Sequence, residues 1–347
     1  MNTLIINTAN ESLEIVLACL GKVFSHSITS QARHNETMLQ EIDNILNEHN
    51  LKIEDIGEYG VVIGPGSFTG IRVGVATIKA FRDYFNVLAK GINNLDYLFN
   101  LAHSQNENCN TVAILGSRNS YFVATMVFGQ LYKYERNLTE DELLSVANGG
   151  AIGMFKAQPG LNCFEVKLDS EILLKCFETA TDETLTPVYY QLSQAESEKI
   201  KHANLEICDA EVQDLIEISK LEQSTNLPNK MTNDDFEKSI SNPNHSLFVA
   251  KLDGKVVGFV STEITDEVNI ENVVVEKIYR NYGIGTKLLD KVADFAKGKG
   301  IKTLSLEVSD KNITAYLLYA KYGFALRRIR KNYYKDNSNA LEMIKTI

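Results

Sequence analysis

These 347 residues contain no tryptophan, five prolines and five cysteines. The cysteines (Cys19, Cys109, Cys163, Cys176 and Cys208) are scattered with no C-x-x-C spacing. That pattern suits reduced thiols and excludes a disulfide framework or a zinc site built on cysteine pairs. No apolar run approaches the ~18 residues of a membrane span, so no membrane association is expected. The opening MNTLIINTANES has no basic n-region and no long apolar stretch, so it does not read as a secretory signal, and a cytoplasmic location is expected. Internal repeats and low-complexity tracts are also missing.

What is present is the composition of a globular chain, 44% apolar and 23% charged, long enough for two domains that each bury a core. The charge is uneven. Residues 1–195 carry 22 acidic against 13 basic side chains, and residues 196–347 carry 23 against 22. An acidic first half argues against a direct, non-specific grip on nucleic acid, although it is compatible with a subunit of a larger RNA-handling machine. QLSQAESEKIKH (191–202) is nearly devoid of apolar residues and reads as the joint. The domains are taken as 1–195 and 203–347, with 196–202 as linker.

Before the joint, TLIINT, LEIVLAC and KVFSHSIT are three strands in quick succession. Helical spacing of Leu39, Ile42, Ile45 and Leu46 follows, then the buried strand YGVVIG and the helix IRVGVATIKAFRDYF. This order predicts an α/β ribonuclease-H-like layer of the actin-like ATPase kind. After the joint the rhythm is α+β. A helix precedes a hairpin turning at Asp253-Gly254, a further strand, and a helix with Ile284, Leu288, Leu289, Val292 and Phe295 on one face. The strand TLSLEV, the helix AYLLYAKYGF and two strand-like segments close the chain.

Two glycine loops each sit between a strand and a helix. The first, GPGSFTGIRVGVA (64–76), lacks the lysine and hydroxyl residue of a P-loop, with Ile71 and Arg72 in their places. It reads as a tight strand-to-helix turn. With the upstream RHNETML (33–39), it resembles the TsaB family, over roughly residues 1–190. That family is an actin-like scaffold that pairs with the catalytic subunit TsaD in making threonylcarbamoyladenosine on tRNA. The resemblance implies a TsaD-like partner, an associated TsaE-like ATPase, and only indirect dealings with tRNA. Departures from the family pattern suit a non-catalytic role. Asn7-Thr8-Ala9 replaces Asp-Thr-Ser, His34 has Met38 at the i+4 position, and Arg118-Asn119 replaces a pair of arginines.

The second loop, RNYGIG (280–285), fits [RQ]-x-x-G-x-[GA]. Gly283 and Gly285 allow successive amides to close around a pyrophosphate at a helix start. LEVSDKNITAYLLYAKYGF (306–324) and RKNYY (330–334) follow in order. Together these resemble the RimI branch of the GNAT acetyltransferases, over about 205–347. The resemblance implies acetyl-CoA as cosubstrate and no metal. It implies an acyl-carrier site made by Val273, Val274 and Val275, by Arg280, Asn281, Tyr282, Gly283, Ile284, Gly285 and Thr286, and by Asn312. Glu307, on the opposite strand face from Leu304, Leu306 and Val308, would act as general base, and Tyr319 as the acid that protonates the leaving thiolate. Tyr333 and Tyr334 would shape the peptide slot. The basic run RRIRKNYYKD (327–336) is read as a solvated strand pair beside that slot in preference to an RNA patch. The stretch LPNKMTNDDF (227–236) lacks the Pro-Trp element common near the peptide site of that branch.

The expected protein is therefore a TsaB-like scaffold fused to an N-acetyltransferase acting on the N-terminal alanine of a ribosomal protein. A GNAT for another peptide or small amine, and a non-catalytic assembly factor, are the alternatives.

Overall fold

The chain opens with β1 (Thr3–Asn7), β2 (Ser12–Cys19) and β3 (Lys22–Thr29), joined antiparallel in sequence order. β1 is buried along its whole length, as its unbroken apolar run requires of a central strand. β4 (Glu58–Gly64) adds parallel to β1, and β5 (Leu88–Asn93) parallel to β4, giving the order β3-β2-β1-β4-β5. α1 (His34–Glu48) follows the third strand and α2 (Phe68–Phe85) joins the last two. In this computed structural model, residues 1–29, 34–116, 120–134, 136–188, 200, 203–225 and 230–347 are described.

A second sheet repeats the plan. After α3 (Asn94–Gln105) come β6 (Thr111–Leu115), β7 (Tyr121–Val127), β8 (Gln130–Lys133), α4 (Glu140–Ala147), β9 (Ile152–Met154), β10 (Cys163–Glu165) and α5 (Ser170–Thr179). Their order, β10-β9-β6-β7-β8, is the first sheet's order over again. The first three strands are antiparallel and the last two parallel, as before. The ribonuclease-H-like layer is thus duplicated, as in actin-like folds, although no repeat shows in the residues. Backbone pairing and burial set this topology, and many apolar combinations satisfy both.

The chain divides into two units, Met1–Gln191 and Leu192–Ile347. That division falls within the stretch expected to be the joint, most of which lies outside the described residues, as does Arg118-Asn119. The side chain of His34 is likewise outside what is described.

The C-terminal unit is one seven-stranded sheet. β11 (Leu205–Asp209), β12 (His245–Leu252), β13 (Lys255–Ile264), β14 (Val268–Val275), β15 (Thr303–Ser309), β16 (Ala325–Arg330) and β17 (Ala340–Thr346) run in the order β11-β12-β13-β14-β15-β17-β16. Asp253 and Gly254, at φ 50° and 85°, form the expected two-residue hairpin between β12 and β13. Helices cover both faces. α6 (Leu215–Gln223) and α7 (Asn233–Ser241) pack Ile218, Leu221 and Phe236 on Val249, Phe259 and Val274. On the other face α8 (Ile284–Gly298) packs Leu288, Leu289 and Val292 on Val260, Leu304 and Leu306. α9 (Ile313–Tyr322) adds Tyr319 to that same core. The alternation along TLSLEV places Leu304, Leu306 and Val308 in the α8 core, as expected, and leaves Glu307 on the α6/α7 face.

Candidate functional site

The first glycine loop is filled by its own chain. A Cβ on Gly70 would lie 2.0 Å from the Thr8 carbonyl oxygen, and one on Gly66 would lie 2.2 Å from that of Ala9. Two of the amides near the helix start are already bonded within the chain. Ser67 N–H donates to Ala9 O at 2.7 Å, and Gly70 N–H donates to Ser67 Oγ at 3.2 Å. Thr8 Oγ1 returns a bond to Gly70 O at 2.7 Å. These glycines let α2 rest directly on the end of β1, so the loop is architecture.

The carboxylate absent from Asn7 reappears one strand away. Glu14 stands opposite Asn7 in the β1–β2 register. It is buried, accepts from Tyr97 Oη at 2.9 Å and from Asn7 Nδ2 at 3.4 Å, and burial raises its pKa to about 7. A carboxyl so enclosed and hydrogen-bonded is a structural group.

In the C-terminal unit the expected site residues gather where two strands part. β14 and β15 pair in parallel only from Val268↔Leu304 to Ile270↔Leu306. Beyond that rung β14 stays bonded to β13, through Val260↔Val273 and Gly258↔Val275, while its other edge has left β15. The backbone of Val273, Val274 and Val275 therefore presents a strand edge to which an extended amide-bearing chain can add. The Val274 side chain is buried, and Val273 and Val275 are half-buried.

The second glycine loop follows directly. Arg280 folds back, its Nε donating to Val275 O at 3.0 Å, which pins the loop to the strand end. Asn281 and Gly283 adopt positive φ, 69° and 79°, and Gly283 is the N-cap of α8 without any side-chain cap. The first amides of α8, around Ile284, Gly285 and Thr286, thus keep the unpaired donors of a helix start. Ile284 is buried and anchors the turn, whereas Thr286 is exposed and Tyr282 half-buried. Gly285 serves packing: a Cβ there would meet Leu318 of α9 at 3.1 Å. Asn312 caps α9, its Oδ1 accepting from Ala315 N–H at 3.3 Å. Its side-chain N–H₂ remains the group that can face the carrier arm.

Glu307 is half-buried and is not simply solvated. Its Oε1 accepts from Arg330 Nη1 at 2.5 Å, and the Arg330 guanidinium lies 4.1 Å over the Tyr333 ring. Neither partnership was legible in the sequence, because Arg330 reaches Glu307 only once β17 intervenes between β15 and β16. The other arginines of the basic run are also held by carboxylates, Arg327 by Glu267 and Glu342, and Arg328 by Glu342. This pairing favours the solvated-strand reading over an RNA patch.

Tyr319 is buried in the α8/α9 core against Phe324, and burial, with the neighbouring Tyr334, holds its phenol well above the ordinary range. Tyr334 is itself pushed up to about 12, by burial first and by the Glu307 charge next. Tyr334 is thus electrostatically coupled to both Glu307 and Tyr319. Its loop is tied to the end of β15 by Ser309–Ser338 at 2.9 Å, Asn339–Asp310 at 2.7 Å and Lys311–Asp336 at 3.0 Å. Glu307 and Tyr319 are thus linked electrostatically through Tyr334.

Comparison with known proteins agrees with this division. Residues 212–324 match the acetyltransferase (GNAT) family, and residues 22–158 match the family of tRNA N6-adenosine threonylcarbamoyltransferase. A Bacillus subtilis protein provisionally named a [ribosomal protein bS18]-alanine N-acetyltransferase is 33% identical over 139 residues, covering 39% of this chain and 91% of that one. A Xenopus tropicalis protein named for N-acetyltransferase activity, camello, is 39% identical over 100 residues. The match takes in 27% of this chain and 46% of camello, so the chain spans less than half of that relative. The solved structure of YeaZ from Pseudomonas aeruginosa aligns with a TM-score of 0.43 and 16% identity, over 54% of this chain and 99% of that one. The chain thus carries a GNAT acetyltransferase unit preceded by a unit similar to the tRNA N6-adenosine threonylcarbamoyltransferase family.

Proposed function

This chain belongs to the GNAT acetyltransferase family, and we propose that its C-terminal unit moves the acetyl group of acetyl-CoA onto the N-terminal alanine of a ribosomal protein, while its N-terminal unit is a scaffold for a TsaD-like catalytic subunit. The observation that carries the first part is the parting of β14 from β15 beside Glu307, with the uncapped start of α8 at its far end. The Bacillus relative supplies the substrate by its name.

Acetyl-CoA brings the thioester. The residues do the rest. The start of α8 holds the pyrophosphate on its N–H groups, and the edge of Val273–Val275 hydrogen-bonds the amides of the arm. Glu307, oriented by Arg330, takes a proton from the acceptor amine. The amine nitrogen bonds to the carbonyl carbon as the carbon–sulfur bond breaks. Tyr319, kept neutral by burial, gives its proton to the departing sulfur. An N-terminal amine, with a reference pKa of about 7.7–8.0, needs only this modest base.

The filled glycine loop supports a non-catalytic role, and the match of residues 22–158 supports a link to threonylcarbamoyl transfer on tRNA. The test is twofold. The full chain with acetyl-CoA and an alanine-initiated peptide of a ribosomal protein should give a product one acetyl group heavier at its N-terminus, and affinity capture from a cytoplasmic extract should retain a TsaD-like protein. Acetylation of free amines but not of the peptide would refute the first part, and capture without a TsaD-like protein the second.

A further inference from the structure

A cavity of about 400 Å³ lies on the α6/α7 face of the C-terminal sheet, separate from the carrier site. Lys238 and Ser239 of α7, Asn242 just after it, His245 at the start of β12, and Glu271 and Asn272 of β14 line it.

The backbone explains why two consecutive residues of one strand face the same way. β13 and β14 slip register between Ser261↔Asn272 and Thr262↔Ile270, leaving Glu271 as the extra residue of a bulge. Ile270 points into the α8 core, so Glu271 turns to the α6/α7 side by ordinary alternation. The bulge keeps Asn272 there as well, and its Nδ2 donates to Glu222 Oε1 at 3.0 Å. Glu271 is also the first residue past the last paired rung, Ile270↔Leu306, as Glu307 is on β15, so both lie one step beyond that rung on the same face, where the strands part. Glu307 is oriented by Arg330, while Glu271 is exposed as a residue but has a partly buried carboxyl, raised in pKa by that burial and tempered by His245 and a hydrogen bond with Ser261.

The cavity has unmet hydrogen-bonding capacity at its wall. His245 Nδ1 is buried with no partner among the described residues. Oε2 of Glu222 is likewise without a partner among the described residues; this fully buried side chain does not itself line the cavity, but its Oε1 accepts from Asn272 Nδ2 and from Met231 N–H at 2.9 Å, and both of those residues do. Buried polar groups left like this are costly unless something fills the space and bonds to them.

We propose that Glu271 is the acceptor-binding residue of this acetyltransferase, its carboxylate receiving the α-ammonium end of a polypeptide on the sheet face it shares with Glu307 while the first few peptide units occupy the cavity. The charge logic is direct. An N-terminal amine is largely a cation at neutral pH and must lose a proton before it attacks. One carboxylate holds the cation and the neighbouring one removes the proton. Ser239, Asn242 and His245 then offer hydrogen-bonding groups to the peptide units that follow. This inference rests on the acetyltransferase reading above.

The test uses the full chain, acetyl-CoA and the alanine-initiated peptide, with Glu271→Gln, Glu271→Lys and Glu271→Asp. Glu271→Gln should raise the peptide KM about tenfold, the loss of one partly solvated charge pair, with the acetyl-CoA KM unchanged. Glu271→Lys should raise it further, and Glu271→Asp should restore most of the affinity. Calorimetry of the same peptide on the CoA-loaded protein reads the pocket without turnover. A tenfold weaker Kd for Glu271→Gln supports the assignment even if the wild type fails to acetylate that peptide, a failure that would count against the acetyltransferase reading alone. Equal Kd values for wild type and Glu271→Gln, no binding by the wild type, or a matching rise in the acetyl-CoA KM would each overturn it.

Discussion

Replacing Glu14 by glutamine should make the N-terminal unit more stable at alkaline pH and leave it nearly unchanged in acid. The side chain is 2% exposed, and burial raises its carboxyl from 4.5 to about 7. The folded state therefore prefers the protonated form. Its stabilising contribution is complete below pH 4.5, declines as pH rises, and is gone above pH 7. A shift of that size corresponds to about 3 kcal/mol between the two limits, at ~1.4 kcal/mol per pKa unit. Glutamine mimics the protonated form. Its oxygen can accept from Tyr97 Oη and Asn7 Nδ2, and its N–H₂ can donate to Tyr97 Oη, so no partner is stranded. The chain has no tryptophan to report on one unit alone, so hydrogen exchange of the β1 and β2 amides, read by mass spectrometry, is the suitable assay. Across pH 4.5–8.5 the wild-type opening free energy should fall by about 3 kcal/mol relative to that of Glu14→Gln. Parallel pH dependences in the two proteins would refute the reasoning, because they would mean that Glu14 ionises in the folded state as easily as in the unfolded chain.

Gly70→Ala should destabilise the same unit by about 3 kcal/mol or more, since its Cβ would sit 2.0 Å from a carbonyl oxygen; an unchanged urea midpoint would show that the loop can move aside. Gly283→Asp, at φ 79° with open space around its Cβ, should remain folded but weaken acetyl-CoA binding by at least about tenfold, because it sets an anion at the helix start, and calorimetry decides the matter. Glu307→Gln should lower kcat/KM by ~10²–10⁴, and Tyr319→Phe should lower kcat with little change in acetyl-CoA affinity; full turnover by both variants would assign them structural roles. Leu39 and Phe68, 54% and 55% exposed on α1 and α2, are large apolar side chains at the surface, and Leu39→Glu with Phe68→Glu should abolish co-elution with a TsaD-like protein while leaving thermal unfolding unchanged.

Local signals in the sequence were enough for the two-domain plan, the ribonuclease-H-like opening, the GNAT order of elements and the hairpin at Asp253-Gly254, because each is written in periodicity, turn residues or contiguous motifs. The candidate site was legible to the same extent. RNYGIG and LEVSDKNITAYLLYAKYGF are short motifs whose candidate residues lie near one another in the chain. Pairings across strands were not legible. Glu307 meets Arg330, and Glu14 comes to face Asn7, only because the sheet sets distant residues side by side. The duplication of the first sheet is hidden for a related reason, since backbone pairing tolerates any residues that keep the burial pattern. The bulge at Glu271 was equally hidden. A single inserted residue reverses strand alternation, and only the register with β13 reveals that Glu271 and Asn272 share one face and one cavity.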